Sequence, residues 1–96
     1  MILKAIRLNK KLRKGIRKFE FVHVYHDSSQ DPTKSILRID GISGSELYKY
    51  LDKHRINPEK YTKKAIVVTI HTNIIEEDVD YLIEAIKKIS QEHGKR

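Results

Sequence analysis

The side chains with chemical potential are five histidines, one acid–hydroxyl cluster, two glycines ahead of a helix and a run of cations near the amino terminus. His23 and His26 are three residues apart. On a strand that spacing sends them to opposite faces, a poor geometry for sharing a metal. His54, His71 and His93 are scattered, and with no cysteine in the chain there is no thiolate ligand, disulfide or Cys nucleophile. No metal site is expected. His26-Asp27-Ser28-Ser29 holds the ingredients of a nucleophilic triad, but a triad is defined by spatial roles that loop neighbours seldom meet. Followed by Gln30-Asp31-Pro32, it reads as a turn. Gly41 and Gly44 bracket a helix start, where backbone N–H groups could hold an anion. Neither Gly-x-Gly-x-x-Gly nor Gly-Lys-Ser/Thr is present, so a capping turn is the simpler reading. The richest candidate is basic: Lys4, Arg7, Lys10, Lys11, Arg13, Lys14, Arg17 and Lys18, followed by Phe19, Phe21 and Tyr25, which could stack on bases if exposed. Its competing reading is a solvated helix face leading into a core strand.

The 96 residues fit one domain with one modest core. A hydrophobic share of 39% against 34% charged residues is that of a folding chain. The net charge of +7 raises nucleic acid as a partner class, although solubility alone also accounts for it. The longest apolar runs, such as 65–68, are far short of a membrane span, and no membrane role is expected. Lys4 and Arg7 interrupt the amino-terminal segment, which lacks the apolar region of a signal peptide, so a cytoplasmic location is expected. Abundant Ile and Lys with scarce Met, Gln and Asn lean toward a heat-loving source.

Residues 1–14 read as a helix, with Met1, Ala5, Leu8 and Leu12 on one face, broadened by Ile2, Leu3 and Ile6. Lys10, Lys11, Arg13 and Lys14 suit its last turn, and Gly15 its left-handed end. Residues 16–25 read as a strand. Phe19, Phe21, His23 and Tyr25 share one face and Lys18, Glu20, Val22 and Val24 the other, so both faces are expected to be partly covered. After a turn-rich loop, 34–40 reads as a second strand, antiparallel to the first. Ser43 and Glu46 have the spacing of a capping box, and Leu47, Tyr50, Leu51 and His54 form that helix's inward stripe. Asn57-Pro58 stops it. Residues 64–71 read as a third, central strand. Asn73 can cap a final helix, with Glu76 three residues on and Asp78 and Asp80 at its positive end. Val79, Leu82, Ile83, Ile86 and Ile89 give that helix its 3.6-residue period. The order α-β-β-α-β-α implies an α/β (α+β) two-layer sandwich, a three-stranded, mostly antiparallel sheet backed by helices.

Four stretches carry a resemblance across nearly the whole chain. They are Asp31-Pro32-Thr33-Lys34 leading into Ile36-Leu37-Arg38-Ile39; Gly41-Ile42-Ser43-Gly44-Ser45-Glu46-Leu47; Ile56-Asn57-Pro58-Glu59; and Val68-Thr69-Ile70 followed by Glu76-Glu77-Asp78-Val79-Asp80-Tyr81-Leu82-Ile83-Glu84-Ala85-Ile86. In this order they resemble the C-terminal small domain of fold-type-I pyridoxal-phosphate enzymes, most nearly the ornithine/lysine/arginine decarboxylase branch of the aminotransferase superfamily. The chain departs from that pattern in two places. His71-Thr72-Asn73-Ile74-Ile75 stands where the family has a short Gly-Asp-Thr turn, and Arg55 stands where it has glycine. The family's chemistry needs a Schiff-base lysine, an acidic partner for the pyridine nitrogen and a phosphate cradle. Those residues sit in the family's large domain, and no Ser-x-His-Lys stretch occurs here. The resemblance therefore implies a fold, with no catalytic residue and no cofactor. Such a domain packs on something: Met1, Ile2, Leu3 and Ile6 are the expected interface, and the expected partner is a second copy or a separate large domain. A small basic nucleic-acid-binding protein is the alternative.

Overall fold

The computed structural model describes residues 2–26, 33–52, 56, 58–71 and 73–95. Three helices and four strands follow in the order α1 (Ile2–Arg17), β1 (Val22–His26), β2 (Lys34–Ile39), α2 (Gly44–Leu51), β3 (Pro58–Tyr61), β4 (Ile66–Thr69) and α3 (Glu76–His93). The sheet is antiparallel throughout and open, with strand order β1-β2-β4-β3. The mixed α/β two-layer architecture agrees with the sequence. The strand count does not, because β3 makes a fourth strand.

That strand is Pro-Glu-Lys-Tyr, with only Pro58 buried and an irregular register between Pro58 and Lys60. A short, polar edge strand has no apolar alternation to betray it. The expected third strand is β4, and it is central, as its apolar run required.

Helix α1 runs past its expected end. Ile16, buried like Ala5, Leu8 and Leu12, carries the apolar stripe one turn further. Gly15 is therefore a close-approach residue inside the helix and not its cap: a Cβ there would sit 2.6 Å from Ile83 Cδ1 on α3. The strand expected over 16–25 begins only at Val22. Phe19 and Phe21 lie in a turn packed against the core, and Phe21 adopts a left-handed φ of 72°.

Strand alternation then sorts the sheet. Val22, Val24, Ser35, Leu37, Ile39, Ile66 and Val68 are buried, while His23, Tyr25, Lys34, Ile36, Arg38, Val67 and Thr69 are exposed or half-buried. The buried set meets α1, α2 and α3, so the core is the single layer between helices and sheet. Among the described residues no helix packs on the other face, yet of the side chains just named only Tyr25 is exposed there and the remaining ones are half-buried, in line with the partial cover its composition suggested.

The α2 capping box forms as expected. Glu46 N–H donates to Ser43 Oγ at 3.2 Å, and Ser43 N–H donates to Glu46 Oε1 at 3.2 Å. Leu47 and Leu51 point inward, but Tyr50 faces out, its ring stacked 5.0 Å from that of His93 at an interplanar angle of 19°. His54 lies outside the described residues. Asn73 does not cap α3. The cap position is Ile75, whose N–H donates to Asp78 Oδ2 at 3.1 Å, so the first-turn acid supplies the satisfaction expected from Asn73.

Candidate functional site

Helix α1 is fixed to the sheet by a buried polar link. Asn9 Nδ2 donates to Lys34 O at 3.1 Å, and Ser35 Oγ donates to Asn9 Oδ1 at 2.7 Å; both residues are buried. The link sets the height of α1 over β2, and with it which residues of α1 face outward. Asn9 sits on the apolar stripe between Ala5 and Arg13, and that placement was the only sequence signal for it.

The eight cations of the basic stretch do not act as one patch. Arg7 meets Glu76 at 3.3 Å; Lys11 meets Glu76 and Asp80, each at 2.9 Å. These pairs clasp α1 to α3. The hydrogen bond to Asp80 and then that to Glu76 raise the Lys11 ammonium above its ordinary pKa, and the Lys11 bond in turn lowers Glu76. Arg13 is only 9% exposed and its Nη1 is buried without a hydrogen-bond partner among the described residues. Burial, and after it Arg17, lowers its pKa. Lys10, Lys14, Arg17 and Lys18 remain exposed and Lys4 half-buried. Of the three aromatics expected beside the stretch, Phe19 and Phe21 pack on the core and only Tyr25 is exposed.

The start of α1 behaves differently. Leu3 is 77% exposed, the most exposed large apolar side chain described, and Ile6 beside it is half-buried. Met1 and the Ile2 side chain lie outside the description.

At the far end of the sheet, Arg38, Lys63 and Lys64 rim a cleft of about 440 Å³ formed by the 39–43 turn and the β3–β4 hairpin. Asp40 draws this end together. It accepts from His23 Nε2 at 2.9 Å, approaches Arg38 Nε at 3.8 Å, and its carbonyl accepts from Lys95 N–H at 2.8 Å. The helix start expected as a possible anion cradle is self-satisfied: Gly44 N–H donates to Lys63 O at 3.0 Å and Leu47 N–H to Ser43 O at 3.0 Å, beside the capping box. A groove of about 580 Å³ lies between α2 and α3, lined by Tyr50, Tyr81, Lys88, Ile89 and His93.

The three described histidine side chains stay apart: His23 faces Asp40, His71 is exposed and His93 stacks on Tyr50. Among the described residues no three His, Asp or Glu side chains converge as a metal site. Asp27, Ser28 and Ser29 lie outside them. No described helix is long and apolar enough to cross a membrane.

No family model matches the chain, and a search of curated proteins gives no match. Solved structures do match. A NifS-like protein from Rickettsia africae superposes with a TM-score of 0.77 at 17% identity, over 94% of this chain and 29% of its own. A second NifS-like protein gives 0.78 at 20% identity, over 94% of this chain and 28% of its own. The cystine C-S lyase C-DES, in complex with its reaction product cysteine persulfide, gives 0.73 at 19% identity, over 96% of this chain and 24% of its own. The chain thus shares its fold with one part of each of these neighbours and spans less than a third of their length. The shared fold agrees with the fold that the four stretches implied. The decarboxylase branch draws no support from neighbours of this kind.

Pyridoxal phosphate is held through a lysine imine, with a phosphate cradle and an acid on the pyridine nitrogen. The described residues do not fit it. None of their lysines is buried, the Ser43, Gly44, Glu46 and Leu47 amides at the start of α2 are bonded internally, and Lys11 is committed to Glu76 and Asp80. No step of that chemistry is ascribed to them.

Proposed function

We propose that this chain is a non-catalytic interaction module, built like the small domain of a pyridoxal-phosphate amino-acid decarboxylase and acting by self-association or by docking to a large domain. The observation that carries the reading is Leu3, left 77% exposed beside half-buried Ile6 on a helix otherwise packed against the sheet and α3. An isolated leucine on a surface is ordinary, but one beside half-buried Ile6 at the start of a helix whose sequence opens Met1-Ile2-Leu3 supports a docking face. The fold supports the same reading, since it forms under a third of each neighbour and the remainder of those chains offers a body to pack on. The decarboxylase assignment rests on the four sequence stretches alone.

Size-exclusion chromatography with light scattering tests the reading. A mass above 11.3 kDa that rises with concentration is expected, and a clean monomer at about 1 mM would count against it.

The second reading is a basic nucleic-acid binder. Exposed Lys10, Lys14, Arg17 and Lys18 favour it; the pairing of Arg7 and Lys11 and the burial of Arg13 weaken it. Fluorescence anisotropy with short DNA and RNA at two salt concentrations decides. Binding that falls steeply with salt supports it, and no binding at low salt removes it.

A further inference from the structure

The two edges of the sheet are not alike. Edge β3 is four residues long, begins with Pro58, breaks register before Lys60 and carries Glu59 and Lys60. Each of these features discourages another strand from adding on. Edge β1 has none of them. Its five residues, Val-His-Val-Tyr-His, pair with β2 in unbroken register and include no proline, lysine, arginine or acid.

The ladder fixes which backbone groups of β1 face outward. Asp40 N–H donates to Phe21 O at 2.9 Å, and antiparallel pairing alternates hydrogen-bonded and non-bonded pairs. Residues Phe21, His23 and Tyr25 therefore bond to β2, while Val22, Val24 and His26 point their N–H and C=O groups away from it. The Val22 N–H is taken by Phe19 O at 3.3 Å. The Val24 N–H and C=O have no partner among the described residues. Tyr25, 50% exposed on the open face, stands beside them.

We propose that a second copy of this chain adds antiparallel to β1, with Val24 on the twofold axis, joining two four-stranded sheets into one of eight strands. Val24 N–H and C=O then exchange both bonds with Val24 of the other copy. His26 N–H reaches the Val22 carbonyl opposite, twice by symmetry. On the open face Tyr25 lies against His23 of the other copy, a cross-strand aromatic contact. A second copy is the occupant this edge favours. The twofold makes the strand its own complement and closes the assembly. This is also a stretch of a +7 molecule where like molecules meet without opposing lysines or arginines. The inference deepens the self-association half of the proposed function and leaves the start of α1 to a large domain.

The test measures mass by light scattering across concentration for the wild type, Tyr25→Lys and Leu3→Asp, with amide hydrogen exchange on the wild type. Tyr25→Lys puts two new cations at the joint while sparing the core, and should weaken the dimer by at least about tenfold. Leu3→Asp should leave it unchanged. The Val24 amide should gain protection as the dimer forms. An oligomer lost with Leu3→Asp but not with Tyr25→Lys, or one in which the Val24 amide exchanges freely, overturns the β1 assignment and keeps the interaction reading. A monomer at all concentrations overturns the β1 assignment and the self-association half of the proposed function together.

Discussion

Replacing Gly44 with alanine tests how the turn after β2 is welded to the β3–β4 hairpin. Gly44 is buried at the first turn of α2, and its N–H donates to Lys63 O at 3.0 Å. A Cβ there would run into the Thr62 carbonyl oxygen and lie 2.6 Å from Ala65 O and 3.0 Å from Ala65 N. All three are backbone atoms of a turn closed by Thr62 N–H on Ala65 O at 2.8 Å, so no side chain can swing aside. The hairpin must back away, which costs about 1–3 kcal/mol of overpacking strain and about 1 kcal/mol for the lost Gly44–Lys63 bond. A loss of about 2–4 kcal/mol lowers Tm by about 10–25 °C in a domain of this size. Thermal unfolding by circular dichroism reads it, with urea unfolding to confirm that the slope is unchanged. Gly15→Ala is the internal control. Its Cβ meets side-chain atoms of Ile83 and no backbone of another element, and the helix propensity gained, about 1 kcal/mol, offsets the crowding. A Gly44→Ala protein as stable as Gly15→Ala would refute the packing reasoning.

Arg13→Met removes a buried guanidinium whose Nη1 has no hydrogen bond among the described residues; the variant should be neutral or more stable by up to about 1 kcal/mol in urea unfolding, and a clear loss would reveal a partner for Arg13. Asn9→Ala strands the buried Ser35 hydroxyl and the Lys34 carbonyl and should cost about 2–3 kcal/mol, read as a lower urea midpoint. Acid should destabilise the fold through three carboxylates. Hydrogen bonds hold Glu46, Glu59 and Glu76 below their ordinary 4.5, chiefly from the Ser43 backbone, the Lys34 ammonium and the Lys11 ammonium. A depressed folded pKa gives stability present above 4.5 and lost as pH falls through the folded values. The urea midpoint should therefore drop between pH 5 and pH 3, and Glu46→Gln should flatten that drop. The Arg7–Glu76–Lys11–Asp80 clasp is exposed, so Glu76→Gln should matter less at high salt than at low salt.

What the sequence made legible was what periodicity and caps encode locally. The α3 stripe from Val79 to Ile86, the Ser43–Glu46 box and the central position of β4 each follow from a few neighbouring residues. The misses came from tertiary contacts. Gly15 looks like a helix terminus until Ile83 is seen packing against it. Phe21 belongs to an alternating run but takes a left-handed turn that delivers its carbonyl to Asp40. Strand β3 has almost no apolar content, so only its pairing with β4 defines it. The basic stretch read as one surface because its partners, Glu76 and Asp80, are some 70 residues away. Of the expected interface, Leu3 and Ile6 stand at the surface, whereas the open edge at Val24 is a property of sheet order that strand patterning alone cannot reveal.

The mass of the wild-type chain in solution, followed by light scattering from dilute conditions to about 1 mM, bears most directly on the account. Self-association predicts a climb from 11.3 kDa toward twice that value. A mass that stays at 11.3 kDa throughout would contradict it.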